Sequence, residues 1–183
     1  RGVGLARLEF IIASTIGVHP LALAGYKNLP PAVRKKIDEK TRGWQDKKKF
    51  YTDNLAYGIA KIALAFHPHP VIVRFSDFKS NEYRTLIGGE QYEPVEENPM
   101  IGWRGASRYY DPRFQQAFLW ECEAIARVRN EMRLKNVIPM VPFCRTPEEG
   151  RKVVSLMQDH GLSKKQDSKL RIYVMCEIPS NVM

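Results

Sequence analysis

The chain has 183 residues, of which 44% are hydrophobic and 27% are charged, a composition typical of one globular domain with a hydrophobic core. No apolar run approaches the ~20 residues of a transmembrane helix, so we expect no such helix. The three cysteines Cys122, Cys144 and Cys176 show no C-x-x-C spacing. We therefore expect neither a disulfide framework nor a zinc site, and a reducing, cytoplasmic setting.

The net positive charge of the chain makes nucleic-acid binding a possibility to consider. The 29 basic and 20 acidic residues give a net charge of +9, but the basic residues are spread along the sequence. The densest run, Lys47–Lys49, lies at a predicted helix start, and no aromatic residues alternate with it as they do in single-strand binders. A solvated face is the favoured interpretation, with neither nucleic acid nor membrane as a partner, and a basic nucleic-acid-binding domain is the rival.

The residues at both ends of the chain lead us to expect that it is part of a longer protein. Position 1 is Arg rather than an initiator Met, and Val182-Met183 follows directly on a strand-like run. We expect one partial domain over residues 1–183, truncated at both ends of a longer enzyme.

Short apolar runs predict the strands, and Arg7 and Arg74 interrupt the first two of them. The apolar neighbours of Arg7 predict a largely buried setting for it, and Trp103–Tyr109 is a possible fifth strand. The four clear runs are Val3–Ile12, Val71–Phe75, Val137–Phe143 and Leu170–Ile178.

Helical spacing and capping residues predict the segments between the strands. Pro30-Pro31 begins a polar helix over 32–42, and an apolar stripe marks a longer helix from about Asp46 to Phe66. Pro112 begins a helix that runs to about residue 132. Thr146 caps a helix that ends near residue 160.

Alternating strands and helices predict parallel strands joined by helical crossovers. No Gly-x-Gly-x-x-Gly fingerprint follows the first strand, which disfavours a dinucleotide-binding fold. The favoured fold class is α/β, a (β/α)₈ TIM-type barrel with only about its first five units present, because a whole barrel takes roughly 250 residues.

In such barrels the working residues lie at the carboxyl ends of the strands. Here those positions hold Arg7, Arg74, either Arg104 or Arg108, and Glu177. Several cations at one opening suit a small, highly anionic ligand such as a phosphorylated carboxylic acid. The carboxylate suits Mg²⁺, which is usually held by one or two carboxylates plus substrate oxygens.

Purely structural pairings are the alternatives for these charged residues. Arg74 could pair with Asp77 or Glu82, Arg7 could form a surface pair with Glu9, and Glu177 could form a salt bridge to an arginine of the barrel. The residues alone leave these alternatives open.

Four segments resemble, in order and over essentially the whole chain, the carboxyl-terminal, PEP-utilising barrel of phosphoenolpyruvate synthase. They are Gly2–Phe10, Val71–Tyr83, Glu96–Tyr109 and Met175–Asn181. The Arg-x-Ser-Asp-Phe-Lys-Ser-Asn-Glu-Tyr form that begins at Arg74 is more similar to the synthase than to pyruvate phosphate dikinase or enzyme I of the phosphotransferase system. These two relatives share the isolated Arg and Glu residues and remain alternatives.

The resemblance implies an ATP-using transferase step of gluconeogenesis. Phosphoenolpyruvate synthase converts ATP, pyruvate and water to phosphoenolpyruvate, AMP and phosphate, carrying phosphate on a histidine from an ATP-grasp domain to this barrel. By resemblance, Arg7 and Arg74 bind pyruvate or phosphoenolpyruvate. Arg104 is a further substrate-binding arginine with a catalytic, phosphoryl-stabilising role, and Glu177 is a substrate-binding residue and the first Mg²⁺ ligand.

Several parts of the family's machinery do not occur in these residues. They are the Asn-Asp motif of the second metal ligand, the Cys-Gly-Gln proton donor, and the phosphohistidine and ATP-grasp domains. The resemblance therefore implies that the isolated chain is inactive, and a non-catalytic binding module for phosphorylated acids is the other interpretation. Open edges of a partial barrel predict self-association.

Overall fold

Four parallel strands form one sheet in a computed structural model that describes all residues from Arg1 to Met183. Their order in the sheet follows the sequence, so each strand pairs with the next along the chain. The strands are β1 (Val3–Arg7), β2 (Val71–Arg74), β3 (Val137–Val141) and β4 (Tyr173–Val174). An α/β fold with parallel strands and helical crossovers is thereby confirmed.

Eight α-helices connect and cover the strands, and none of them has the length and apolar character needed to cross a membrane. They are α1 (Leu8–Ile11), α2 (Pro20–Ala24), α3 (Pro31–Lys40), α4 (Lys47–Phe66), α5 (Ser80–Thr85), α6 (Ala106–Tyr109), α7 (Gln115–Asn130) and α8 (Pro147–Asp159). Short π and 3₁₀ segments lie at Ile12–Ile16, Tyr26–Asn28, Gly89–Gln91 and Pro179–Asn181.

Side-chain caps begin two of these helices where the sequence predicts. The Asp46 carboxylate accepts hydrogen bonds from the backbone N–H groups of Lys48 and Lys49 at 2.8 and 3.1 Å. The Thr146 hydroxyl accepts one from the Glu149 N–H at 3.2 Å. Each cap satisfies donors that have no partner within the helix itself.

The two faces of the sheet differ in how completely they are covered. On β2, Val71 and Val73 are at most 1% exposed, and the helices α4 and α7 pack over this part of the sheet. Ile72 on the other face, like Met140 and Tyr173, is only half-buried. Parallel sheets are normally covered on both faces, so this second face is the open side of the fold.

The possible fifth strand over Trp103–Tyr109 is wrong, because this segment is a loop followed by α6. Gly105 adopts a positive φ of 61°, and a Cβ there would lie 2.6 Å from the carbonyl oxygen of Pro142. The segment thus packs tightly across the end of β3 instead of pairing with it, and the Ala106 N–H donates to the same Pro142 carbonyl at 3.1 Å. The fourth strand is also shorter than Leu170–Ile178.

The largely buried setting predicted for Arg7 is wrong as well. Arg7 is exposed, and its neighbours Leu5 and Phe10 are 36% and 69% exposed, while only Leu8 is buried. The physical reason is the position of β1, which is an edge strand paired with β2 alone.

A fully buried carboxylic acid, Glu121, lies on the core-facing side of α7. It accepts a hydrogen bond from the Ser76 backbone N–H at 3.0 Å. Burial raises the pKa of Glu121 to about 7, although its hydrogen bonds from Ser76 oppose that rise. The native state therefore holds a proton that the unfolded chain releases at lower pH.

We predict that Glu121 makes the fold less stable as pH rises. From the ordinary pKa of 4.5 up to about 7, the unfolded chain binds fewer protons than the native state, so the free energy of unfolding falls through this window and then stays level. Glu121→Gln should remove about 3 kcal/mol of this decline. Urea unfolding at several pH values from about 4 to 8 measures it, and an unchanged pH dependence in the variant would contradict the prediction.

Candidate functional site

Two arginines stand side by side at the carboxyl ends of β1 and β2. Arg7 and Arg74 are register partners in the parallel pair, and Arg74 is in turn the partner of Met140 on β3. Register partners point to the same face of a sheet, which here is the open one. The Arg7 side chain is exposed and forms no ion pair or hydrogen bond, so its guanidinium is free to bind an anion.

Arg74 is buried and is held by groups from three parts of the chain. Its Nη2 donates to Glu9 Oε1 at 2.6 Å, its Nη1 donates to the Met175 sulfur at 3.4 Å, and Asp77 lies 3.3 Å from Nη1. The Arg74 Nε and the Glu9 Oε2 are both buried without a hydrogen-bond partner. These two orphaned atoms mark the site as polar and incompletely satisfied.

Asp77 links Arg74 to a second arginine. Its carboxylate, which is fully buried, accepts two parallel hydrogen bonds from Arg104 Nε and Nη2 at 2.8 and 2.9 Å. Burial lowers the pKa of Arg104, but Asp77 and, less strongly, Glu177 outweigh it, so the pKa of Arg104 is raised. One carboxylate thus fixes the relative positions of Arg74 and Arg104.

The loop that carries Arg104 is fastened to the segment that follows β3. The guanidinium of Arg145 donates to the carbonyl groups of Ile101, Gly102 and Arg104 at 3.3, 3.1 and 3.2 Å. The Arg104 guanidinium in turn lies over the ring of Phe143, 4.3 Å from its centroid. These contacts bring a residue far from any strand to the carboxyl edge of the sheet.

Glu177 lies just beyond β4 at the same edge. It is exposed, and its Oε1 accepts a hydrogen bond from the Phe143 N–H at 2.7 Å. Asn181 holds the turn, because its Oδ1 accepts from the Glu177 N–H at 3.2 Å and its Nδ2 donates to the Cys144 carbonyl at 2.6 Å. Glu177 forms no salt bridge with an arginine, so the purely structural pairing considered for it in the sequence is wrong.

Arg108, the alternative to Arg104 at the opening, is instead part of the core. Its side chain is 1% exposed and donates to both oxygens of Glu93 at 2.6 and 2.8 Å. Glu93 also contacts the buried His19 ring at 2.9 Å, and Trp103 stacks against the guanidinium at 4.1 Å. With every charge already paired, Arg108 stabilises the fold and offers nothing to a ligand.

The structure adds two carboxylates that sequence reasoning did not assign to the site, Glu9 and Asp77. Burial raises the pKa of Glu9, against the opposing pull of Arg74. The cost of burying an unpaired guanidinium made Asp77 one possible partner of Arg74 in the sequence, whereas Glu9 was considered only as a surface partner of Arg7. At the carboxyl edge of the sheet, the carboxylates of Glu9, Asp77 and Glu177 thus equal in number the guanidiniums of Arg7, Arg74 and Arg104.

A magnesium ion would find one protein ligand here. The structure contains no group of three or more His, Cys, Asp and Glu side chains that could hold a metal. Glu177 is exposed, and only its Oε1 is hydrogen-bonded, so Oε2 remains available. A single carboxylate fits Mg²⁺, which commonly completes its shell with water and substrate oxygens.

The densest basic run is partly paired within the chain. Lys47 contacts Asp38 at 2.9 Å, and Lys48 contacts Glu123 at 2.8 Å. Two of the three lysines in Lys47–Lys49 thus form ion pairs with acids of the same chain.

Comparison with known proteins assigns the family. All residues from 1 to 183 match the family described as PEP-utilising enzyme, PEP-binding domain, and the chain belongs to it. Similar proteins named phosphoenolpyruvate synthase occur in Synechocystis sp., with 61% identity over 184 residues, in Escherichia coli, with 52% over 182, and in Aquifex aeolicus, with 49% over 228. Each alignment covers 100% of this chain but only 22%, 23% and 26% of these relatives, respectively.

We predict that Asp77→Asn destabilises the fold by about 3 kcal/mol, because it leaves two poorly exposed guanidiniums without their shared counter-charge. Denaturant unfolding measures the loss. Glu148→Gln is the matched control, since Glu148 and its partner Arg151 are 67% and 74% exposed and the change should cost less than about 1 kcal/mol. Equal losses in the two variants would contradict the prediction.

Proposed function

We propose that this chain is the pyruvate- and phosphoenolpyruvate-binding part of a phosphoenolpyruvate synthase, a pyruvate, water dikinase. The family match over the whole chain and the printed names of its relatives support the proposal. The observation that carries it is the pair of register partners Arg7 and Arg74 at the carboxyl edge of the sheet. There the exposed guanidinium of Arg7 has no partner within the chain.

The three arginines have different roles, which follow from their surroundings. Arg7, with no internal partner, and Arg74, with its free Nε, bind the carboxylate and phosphate of the ligand, since guanidinium groups suit both. Arg104 is the catalytic arginine, which stabilises the negative charge that develops on the transferring phosphoryl group. The two hydrogen bonds that Arg104 donates to Asp77 hold the guanidinium in place, so little reorganisation is needed during the reaction.

Glu177 would hold Mg²⁺ through its free carboxylate oxygen, next to the loop of Phe143. When bound, the ion supplies Lewis-acid polarisation of the enolate oxygen of pyruvate. The exposure of Glu177 leaves room for the ligand oxygens and water that must complete such a site.

The rest of the enzyme supplies what these residues do not. We propose that the open sheet is part of a (β/α)₈ barrel, which would cover its half-buried face. The phosphohistidine and ATP-grasp domains of the parent chain would deliver phosphate from ATP, so the isolated chain is inactive. All three cysteines are free thiols, which fits a cytoplasmic setting for this step of gluconeogenesis.

Pyruvate phosphate dikinase and enzyme I remain alternatives, because the resemblance gives them the same isolated arginines and acid. A non-catalytic module for phosphorylated acids would use the same guanidiniums without turnover. Activity of the complete protein separates these possibilities. The synthase consumes ATP and pyruvate and releases AMP and phosphate, whereas a binding module retains phosphoenolpyruvate and consumes nothing.

We predict that Arg7→Ala weakens phosphoenolpyruvate binding by about 10- to 100-fold, the effect of losing one charge-assisted hydrogen bond or a bidentate pair. Because Arg7 is exposed and unpaired, the free energy of unfolding should change by less than about 0.5 kcal/mol. Isothermal titration with phosphoenolpyruvate and Mg²⁺ measures the affinity.

Two controls sharpen this test. Arg7→Lys keeps the charge but loses the planar fork, so we expect an intermediate affinity. Arg171→Ala removes another exposed arginine that precedes β4 at the opposite edge of the sheet, and it should leave binding unchanged. If the unmodified protein does not bind phosphoenolpyruvate, the proposed function is wrong.

We also propose that the chain self-associates when separated from its parent. The strand β1 is an unpaired edge, and Leu5 and Val174 on the outer strands are 36% and 50% exposed. Unpaired edges and apolar surface recruit further chains. Sedimentation velocity at tens of micromolar should show dimers or larger species, and a single monomeric boundary would contradict this.

A further inference from the structure

The chain leaves the sheet at Ser76, and side chains replace the strand partners of its backbone there. Phe75 still donates its N–H to the Met140 carbonyl at 3.0 Å. The Ser76 N–H donates instead to Glu121 Oε2 at 3.0 Å, and its carbonyl accepts from the Tyr109 hydroxyl at 2.7 Å. Both backbone polar groups of this one residue are thus satisfied by side chains of α6 and α7.

The Ser76 side chain is bound to the same acid. Its hydroxyl donates a short hydrogen bond to Glu121 Oε1 and shares a second one, 2.7 Å long, with the Tyr83 hydroxyl. Glu121 therefore uses both carboxylate oxygens on Ser76. A two-point attachment fixes the orientation of the peptide as well as its position.

The residue after Ser76 is Asp77, which joins Arg74 to Arg104. Consecutive Cα atoms are about 3.8 Å apart, so the placement of Ser76 restricts the placement of the Asp77 carboxylate. We propose that Glu121 is a positioning residue for the ligand site, acting through Ser76 and Asp77 on the two arginines. The proposal rests on the proposed function only for the identity of the ligand.

A contribution to stability alone does not account for an acid at this place. Glu121 is 0% exposed, and burial raises its pKa to about 7, so keeping it ionised in the core is unfavourable. Replacing both partners of a buried hydrogen-bonded pair by apolar groups can be nearly neutral in stability, whereas removing the acid alone leaves the donors of Ser76 unsatisfied. What an apolar side chain would not reproduce is the two-point attachment of Ser76.

Glu121→Leu and Glu121→Gln in the complete enzyme test the proposal. The leucine variant loses both contacts with Ser76, and we expect the KM for pyruvate to rise at least tenfold while the KM for ATP stays within twofold. The glutamine variant can accept from the Ser76 N–H and donate to its hydroxyl, and it should stay within threefold of the unmodified enzyme. A purely structural role would lower the amount of folded enzyme without changing either KM.

Ser76→Ala gives a second measurement if the leucine variant does not fold. It removes the hydroxyl but keeps the backbone contact, and it should raise the KM for pyruvate about threefold to tenfold. A folded leucine or alanine variant with an unchanged KM for pyruvate would overturn the proposal.

A crystal structure of the Glu121→Leu enzyme separates this inference from the proposed function. If the Arg104 guanidinium still contacts Asp77 as it does here, the positioning role is wrong, whatever the ligand. If the contact is lost but the unmodified enzyme uses neither pyruvate nor phosphoenolpyruvate, the positioning role stands and the proposed function fails.

Discussion

The site depends on one buried carboxylate between two guanidiniums. Asp77 forms two hydrogen bonds with Arg104 and lies 3.3 Å from Arg74. Arg74 belongs to the sheet, whereas Arg104 belongs to a loop that has no strand of its own. The shared counter-ion therefore converts two unrelated parts of the chain into one anion-binding edge. Removing like-charge repulsion between neighbouring arginines is a condition for burying them together.

The second constraint is the attachment of the Arg104 loop to the end of β3. Gly105 approaches the Pro142 carbonyl so closely that a side chain would collide with it, and Arg145 draws several carbonyl groups of the loop together. Arg145 is thus a structural residue that determines where the neighbouring cation lies. The neighbouring arginines thus have different roles, because Arg145 donates to backbone carbonyl groups and Arg104 donates to the Asp77 carboxylate.

Sequence patterns predicted the parallel sheet, because apolar runs and a helix cap such as Thr146 are local signals. They failed at Trp103–Tyr109, where a possible strand was predicted but tertiary packing against Pro142 imposed a loop and a helix. For the site, Arg7, Arg74 and Glu177 could be named from their positions at or after strands, whereas Arg104 belongs to a loop that only tertiary contacts bring to the same edge. Glu9, the partner of Arg74 from α1, could not be predicted, because the edge position of β1 before it and its choice between Arg7 and Arg74 depend on the whole sheet.

The charge balance at the opening has a consequence for how an anion reaches it. Arg7, Arg74 and Arg104 are matched by Glu9, Asp77 and Glu177, so these six groups add no net charge of their own. The attraction of the other basic residues of the chain is screened over a Debye length of about 8 Å in physiological salt, so these six groups would contribute little long-range steering to the rate of encounter. Selectivity must then arise at contact distance, where an incoming anion exchanges partners with carboxylates that are already in place.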